Sequence, residues 1–214
     1  MSVPPHPAGV NNWIVTFCVT YGIRVPPDAS DTKRRILAAA RAEFAHYGLA
    51  GARIDRIADA AQANKRSIYV HFGPKEQLFD LVVEQALADM SAAVPFTPDD
   101  LPGYGGRLFD HLLQDPAVLR ISTWANLERP EPTAGEISAY QPKIEALQQH
   151  FDGDAVDLLA LVLGLVTAWF NASPSLQSLA DGDPGSRKRL ETHRSAMVSA
   201  IAKLCPEPDR RADR

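Results

Sequence analysis

The stretch Ile54-Asp55-Arg56-Ile57-Ala58-Asp59-Ala60-Ala61-Gln62-Ala63-Asn64-Lys65-Arg66-Ser67-Ile68-Tyr69-Val70-His71-Phe72-Gly73-Pro74 decides the fold. Ile54, Ile57, Ala58 and Ala61 follow the i, i+3, i+4, i+7 spacing of one helix face. Gln62-Ala63-Asn64 is too short for anything but a turn. Asn64 is a good N-cap, because its side-chain oxygen accepts from free backbone N–H groups. It predicts a third helix from Lys65 to about Val70. On that helix Ile68 and Phe72 turn inward, while Lys65, Arg66, Ser67 and Tyr69 form the exposed face. Two short helices joined by such a turn describe a helix-turn-helix, whose second helix offers polar and cationic side chains to a DNA groove.

Upstream, Ser30 or Asp31 can cap a first helix. Ile36, Ala40 and Phe44 recur every four residues, with Leu37 beside them, and Gly48 supplies the stop. Downstream, Phe72-Gly73-Pro74 breaks the chain, and Pro74 suits the first turn of a fourth helix reaching about Ala92. Pro95 to Gly106 reads as a loop rich in Pro, Gly and Asp. Further helices are expected near 107–114, 116–128, 136–150, 154–171 and 186–204. No segment after residue 30 alternates as a strand, so the fold is expected to be all-α.

Charge supports the same assignment. The chain has 214 residues and a formal charge of −4, an ordinary balance for a globular protein. Between Lys33 and Lys75, however, nine cations face only Glu43, Asp55 and Asp59. That segment carries +6 and the remainder −10. A basic segment on an acidic body fits a polyanion partner for one part only, although a solvated charged face has the same composition.

Other classes find little support. Cys18 and Cys205 are too few and too far apart for a disulfide framework or a four-thiolate zinc site. There is no metal-ligand cluster, Gly-rich phosphate loop or Gly-x-Ser-x-Gly elbow, so no catalytic residue, cofactor or metal is assigned and no enzyme is expected. The longest apolar run, Leu158 to Phe170, has 13 residues, whereas a membrane span needs about 20. No Lys or Arg precedes the apolar stretch Trp13 to Ile23, which argues against a secretory signal. The expected location is the cytoplasm, with no membrane partner. Residues 1–29, punctuated by Pro4, Pro5, Pro7, Pro26 and Pro27, read as an appended, poorly ordered extension. It is either a translated stretch upstream of the true start or an arm that docks on a partner.

From Thr32 to Phe79 the sequence resembles the TetR family of transcriptional regulators. The match is strongest over Ile57-Ala58-Asp59-Ala60-Ala61 and over Lys65-Arg66-Ser67-Ile68-Tyr69-Val70-His71-Phe72-Gly73-Pro74-Lys75-Glu76-Gln77-Leu78. Two positions depart from the family pattern. Gln62 stands where glycine is usual in the turn, and Ala52-Arg53 where Ser or Thr usually opens the second helix.

The resemblance implies an N-terminal three-helix helix-turn-helix domain, residues 30–76, and a C-terminal helical effector-binding and dimerisation domain, residues 77–214. It implies a ligand-responsive regulator, repression being the family default, that binds a palindromic operator as a homodimer and is released by a small hydrophobic effector. Lys65, Arg66 and Ser67 would enter the major groove, where Arg can pair with guanine O6 and N7. Tyr69, His71 and Lys75 match phosphate contacts; Lys33 and Arg53 are further candidates. The alternative for Tyr69 is a half-buried core aromatic, and for His71 a surface or packing residue. Phe79, Tyr104, Leu108, Leu112 and Trp124, with polar His111, Thr123 and Asn126, are candidates for the effector pocket. The helices near 154–171 and 186–204 would pair with their copies across a two-fold, or else fill the monomer core. The competing reading is a non-specific or architectural DNA-binding or protein-interaction helical module.

Overall fold

The computed structural model describes residues 29–205; the expected extension, residues 1–29, lies outside the described residues but for its last residue, Ala29. Among the described residues the secondary structure is helical throughout. The stripe of Ile36, Ala40 and Phe44 is fully buried and seats α1 (Ala29–Gly51) against its neighbours. Helix α2 is Ile54–Ala60 and α3 is Lys65–Phe72. Asn64 Oδ1 accepts from the Arg66 amide at 2.8 Å, the cap expected from sequence. Helix α4, Lys75–Ala93, starts one residue after Pro74, which is its N-cap rather than part of its first turn.

The body consists of α5 (Leu101–Gln114), α6 (Pro116–Glu128), α7 (Ala134–His150), α8 (Ala155–Asn171), a single turn α9 (Pro174–Gln177) and α10 (Arg187–Leu204). Helix α1 packs on α2, α4 and α6, and α5 on α6, α8 and α10. One continuous apolar core therefore runs from Ile36 in the head to Ile201 in the last helix.

Ser30 and Asp31 stand inside the first turn of α1 rather than capping it, and two further expectations are corrected. Gly48 does not end α1 outright. It adopts a positive φ of 68° and kinks the helix, which resumes to Gly51. A Cβ on Gly48 would stand 2.7 Å from Trp124 Cδ2, so α6 passes too close for any side chain. The second correction concerns the expected loop from Pro95 to Gly106: its second half is the start of α5. Asp100 Oδ1 caps that helix by accepting from the Gly103 amide at 2.8 Å, and Pro102 sits in its first turn. Gly105 and Gly106 lie against α10. Added Cβ atoms there would come within 2.4 Å of Ile201 Cδ1 and 2.6 Å of Arg194 Nη2. These glycines mark a close helix crossing, not a break.

Candidate nucleic-acid interface and inner cavity

The helix-turn-helix is built as its pattern predicts. Ile54, Ile57 and Ala58 of α2 are buried, and Ile68 alone is buried on α3. Lys65, Arg66, Tyr69 and His71 are exposed; Ser67 and Phe72 are half-buried. Gln62 turns the chain with φ +48°, the left-handed conformation that glycine adopts freely.

The cations divide into two groups. Some are tied to the protein. Lys65 Nζ pairs with Asp55 Oδ1 of α2 at 2.7 Å, and this bond holds its amine in the charged form by raising its pKa. Lys75 Nζ donates to the Ala52 carbonyl at 3.2 Å and lies 3.5 Å from that of Ala50, so it binds the start of α4 to the α1–α2 connection. Arg34 and Arg35 share Asp31. Arg56 donates to Glu43 Oε1 from Nε at 2.7 Å and stacks 4.1 Å from the centre of the Tyr47 ring. Others make no ion pair among the described residues: Lys33, Arg53 and Arg66, all exposed. Arg53 contributes its backbone instead, donating to Glu43 Oε1 at 2.9 Å.

Glu43 is thus the knot between α1 and α2. Burial pushes its carboxyl pKa up, but the Arg56 and Arg53 hydrogen bonds outweigh burial and hold it below the ordinary range. Sequence reasoning missed one exposed residue. Val70 is 70% exposed in the last turn of α3, one turn beyond Arg66, where an apolar group can meet a thymine methyl.

The helical body holds a pocket of about 280 Å³, termed the inner cavity, whose mouth is open to solvent at the exposed residues Thr123, Asn126, Tyr140, Gly164 and Asn171. Leu87 and Met90 of α4, Leu108 and Leu112 of α5, Val118, Leu119, Ser122, Thr123 and Asn126 of α6, Tyr140 of α7, and Leu163, Gly164, Thr167 and Asn171 of α8 line it. Four expected residues meet there: Leu108, Leu112, Thr123 and Asn126. Four do not line it. Phe79 packs edge-on against Phe44 with ring centres 5.0 Å apart, deep in the core. Tyr104 packs on Phe96 at 4.9 Å, and burial pushes its hydroxyl up to about 12. Trp124 lies under Gly48. His111 is half-buried in the last turn of α5. The α8 contribution was missed because its long apolar run hides which face meets which neighbour.

Helix α6 joins the two sites. One side of it lines the cavity. Another grips the kinked end of α1: Arg120 Nε donates to the Ala45 carbonyl at 2.6 Å, and the Glu128 carboxylate accepts from the Leu49 amide and, at 3.1 Å, from the Ala50 amide.

This arrangement can be set against known proteins. A family model described as "Bacterial regulatory proteins, tetR family" matches residues 36–82, and one described as "Tetracyclin repressor-like, C-terminal domain" matches residues 100–203. The chain belongs to the TetR family. TetR-family proteins are transcriptional regulators, not enzymes. The Streptomyces coelicolor protein SCO4942, assigned as a transcriptional regulator, is 35% identical in its crystal structure. It superimposes with a TM-score of 0.70 over 83% of this chain and 99% of that one. The S. coelicolor HTH-type transcriptional repressor SCO4008 is 48% identical over 101 residues, 47% of this chain. That match spans about half the length of SCO4008 (53%). The multidrug binding protein EbrR, 20% identical with a TM-score of 0.61 over 88% of this chain and 97% of that one, shares the TetR-family fold. No single helix among the described residues is long and apolar enough to cross a membrane.

Proposed function

We propose that this chain is a transcriptional repressor that binds a palindromic operator as a homodimer and is released by a small, largely apolar effector. Residues 30–76 form the DNA-reading head and residues 77–214 the effector and dimer half. Arg66, free of any ion pair among the described residues, reads a base edge from α3; Ser67, Tyr69 and Val70 accompany it. Lys33, Arg53 and His71 contact phosphate. Lys65 and Lys75 position the helices and add charge to the same backbone. Such a protein works where the chromosome is, in the cytoplasm.

One observation carries the reading: α6 both lines the inner cavity and holds the kinked end of α1. An occupant that moves α6 must move the head. For this to be a switch, the occupant has to bind the DNA-incompetent geometry better than the DNA-competent one. Repression is supported by the name of the 48% identical relative SCO4008.

The test is selection of duplexes from a random pool at about 150 mM salt. The control protein carries Arg66→Ala and Tyr69→Ala, both at exposed positions. A two-fold symmetric sequence enriched by the wild type and not by the control is the expected result. Equal enrichment by both proteins would end the claim that α3 reads sequence.

A further inference from the structure

A second hollow lies on the adjoining face of α4. It is a cleft of about 640 Å³ between α4 and α7, roofed by the connection through Phe96 and Pro98. Its lining shares no residue with the inner cavity. Phe96, Pro98, Pro142 and three alanines make most of its lining apolar; its polar side chains are Glu84, Ser91, Ser138 and Lys143, and the Ser138 hydroxyl already donates to the Ala134 carbonyl at 2.8 Å. On α4, Ser91 and Glu84 are seven residues apart, two helical turns or about 10 Å. Lys143 of α7 reaches the Ser91 end, with Nζ 3.4 Å from Ser91 Oγ. Glu84 marks the other end, where its Oε1 accepts from the Gly135 amide at 3.3 Å.

Lys143 is the anomaly. It is 8% exposed and is the only charged side chain buried among the described residues. It forms no ion pair among them. Its polar neighbours are one hydroxyl at long range and the face of Tyr140, 5.5 Å from the amine. Burial alone lowers its pKa. A buried ammonium without a counterion is costly, and proteins seldom keep one without a use. Yet this amine borders a cleft large enough for a small molecule.

We propose that the α4–α7 cleft binds an apolar monocarboxylate, with the carboxylate between Lys143 and Ser91 and the hydrocarbon over Phe96, Pro98 and Pro142. The bound carboxylate supplies the missing counterion. The Ser91 hydroxyl donates to its second oxygen. Glu84 at the far end repels a second negative charge, so a dicarboxylate of the same length is refused. This deepens the effector-responsive reading only in its consequence for DNA; binding at the cleft stands without that reading.

The experiment is titration calorimetry of the full chain with octanoate, octan-1-ol, octylamine and suberate. Octanoate is expected to bind and suberate to bind at least tenfold more weakly. K143M replaces the amine by an uncharged side chain of similar length, and should melt no lower than the wild type. It should weaken octanoate at least tenfold while leaving octan-1-ol unchanged. Glu84→Gln, which keeps Lys143 in place, should raise suberate affinity toward that of octanoate. Leu112→Trp fills the inner cavity and should leave octanoate binding as it was. No octanoate binding at millimolar concentration, octanoate binding indifferent to K143M, or binding lost in Leu112→Trp instead would each overturn the assignment. All arms are read without DNA, so a chain that selects no operator would refute the regulator reading and leave this result intact.

Discussion

At the scale of single residues, the turn between α2 and α3 shows a local rule broken. Gln62 holds φ +48°, a conformation costing a side-chain-bearing residue about 1 kcal/mol. Gln62→Gly should therefore stabilise the head by about 0.5–1 kcal/mol, seen as a higher midpoint of urea denaturation with an unchanged slope. An unchanged or lower midpoint would mean that Gln62 makes a compensating contact. The sequence showed that a turn was needed there and that the usual glycine was missing. It could not show that the backbone keeps the glycine geometry regardless. Side-chain partners were similarly hidden. Lys65 and Lys75 read as cations free for DNA, yet one pairs with Asp55 and the other with the α1–α2 connection. Both partners depend on how helices cross, which periodicity does not encode.

At the scale of elements, the junctions of α1 decide how the head is held. Gly48 combines a positive φ with a Cβ position 2.7 Å from the Trp124 ring. Gly48→Ala should cost at least about 2 kcal/mol, since backbone strain and a clash with a packed indole act together. Thermal unfolding followed by circular dichroism would measure it, and a loss under about 0.5 kcal/mol would show that α6 can yield.

The Glu43 knot adds a pH dependence. A carboxylate held below its ordinary pKa stabilises the fold at pH values above the unfolded-state pKa, about 4.3. That contribution disappears as pH falls through the lowered folded value. Glu43→Gln should thus cost about 1 kcal/mol at pH 7, and the gap from wild type should close on acidification below about pH 4. A gap constant from pH 7 to pH 3 would rule out the ion pair as its source. The elements themselves were legible wherever apolar spacing was clean, as in α1 and α2. The start of α5 was not, because glycines that permit a close helix crossing and glycines that end a helix look the same in sequence. Only the positions of Ile201 and Arg194 tell them apart.

At the scale of the whole molecule, symmetry is the remaining requirement. A single short recognition helix reads too few base pairs for discrimination, so operator binding by this fold calls for two heads at a fixed separation. The homodimer proposed above would join its two copies through α8 and α10. On α8, Leu161 is 54% exposed and Ala168 lies two turns further along, also exposed. On α10, Ala196, Ser199 and Ala202 are exposed small residues that let a neighbouring helix come close. Meanwhile Leu158, Val162 and Val166 of α8 and Met197 and Ile201 of α10 are buried in the monomer. The apolar run that could serve as core or interface in the sequence thus divides by face, leaving a core side and an unpartnered side.

Leu161→Asp separates the two roles, because it places a charge on the exposed face and leaves the core untouched. The variant should keep its helix content and elute at the mass of one chain where the wild type elutes as two, as read by light scattering behind a sizing column. Its affinity for the selected operator should fall at least a hundredfold, since one head must then bind without the other. A variant that stays dimeric would put the two-fold elsewhere. One that becomes monomeric and still binds the full palindrome as tightly would show that the heads associate on DNA without α8.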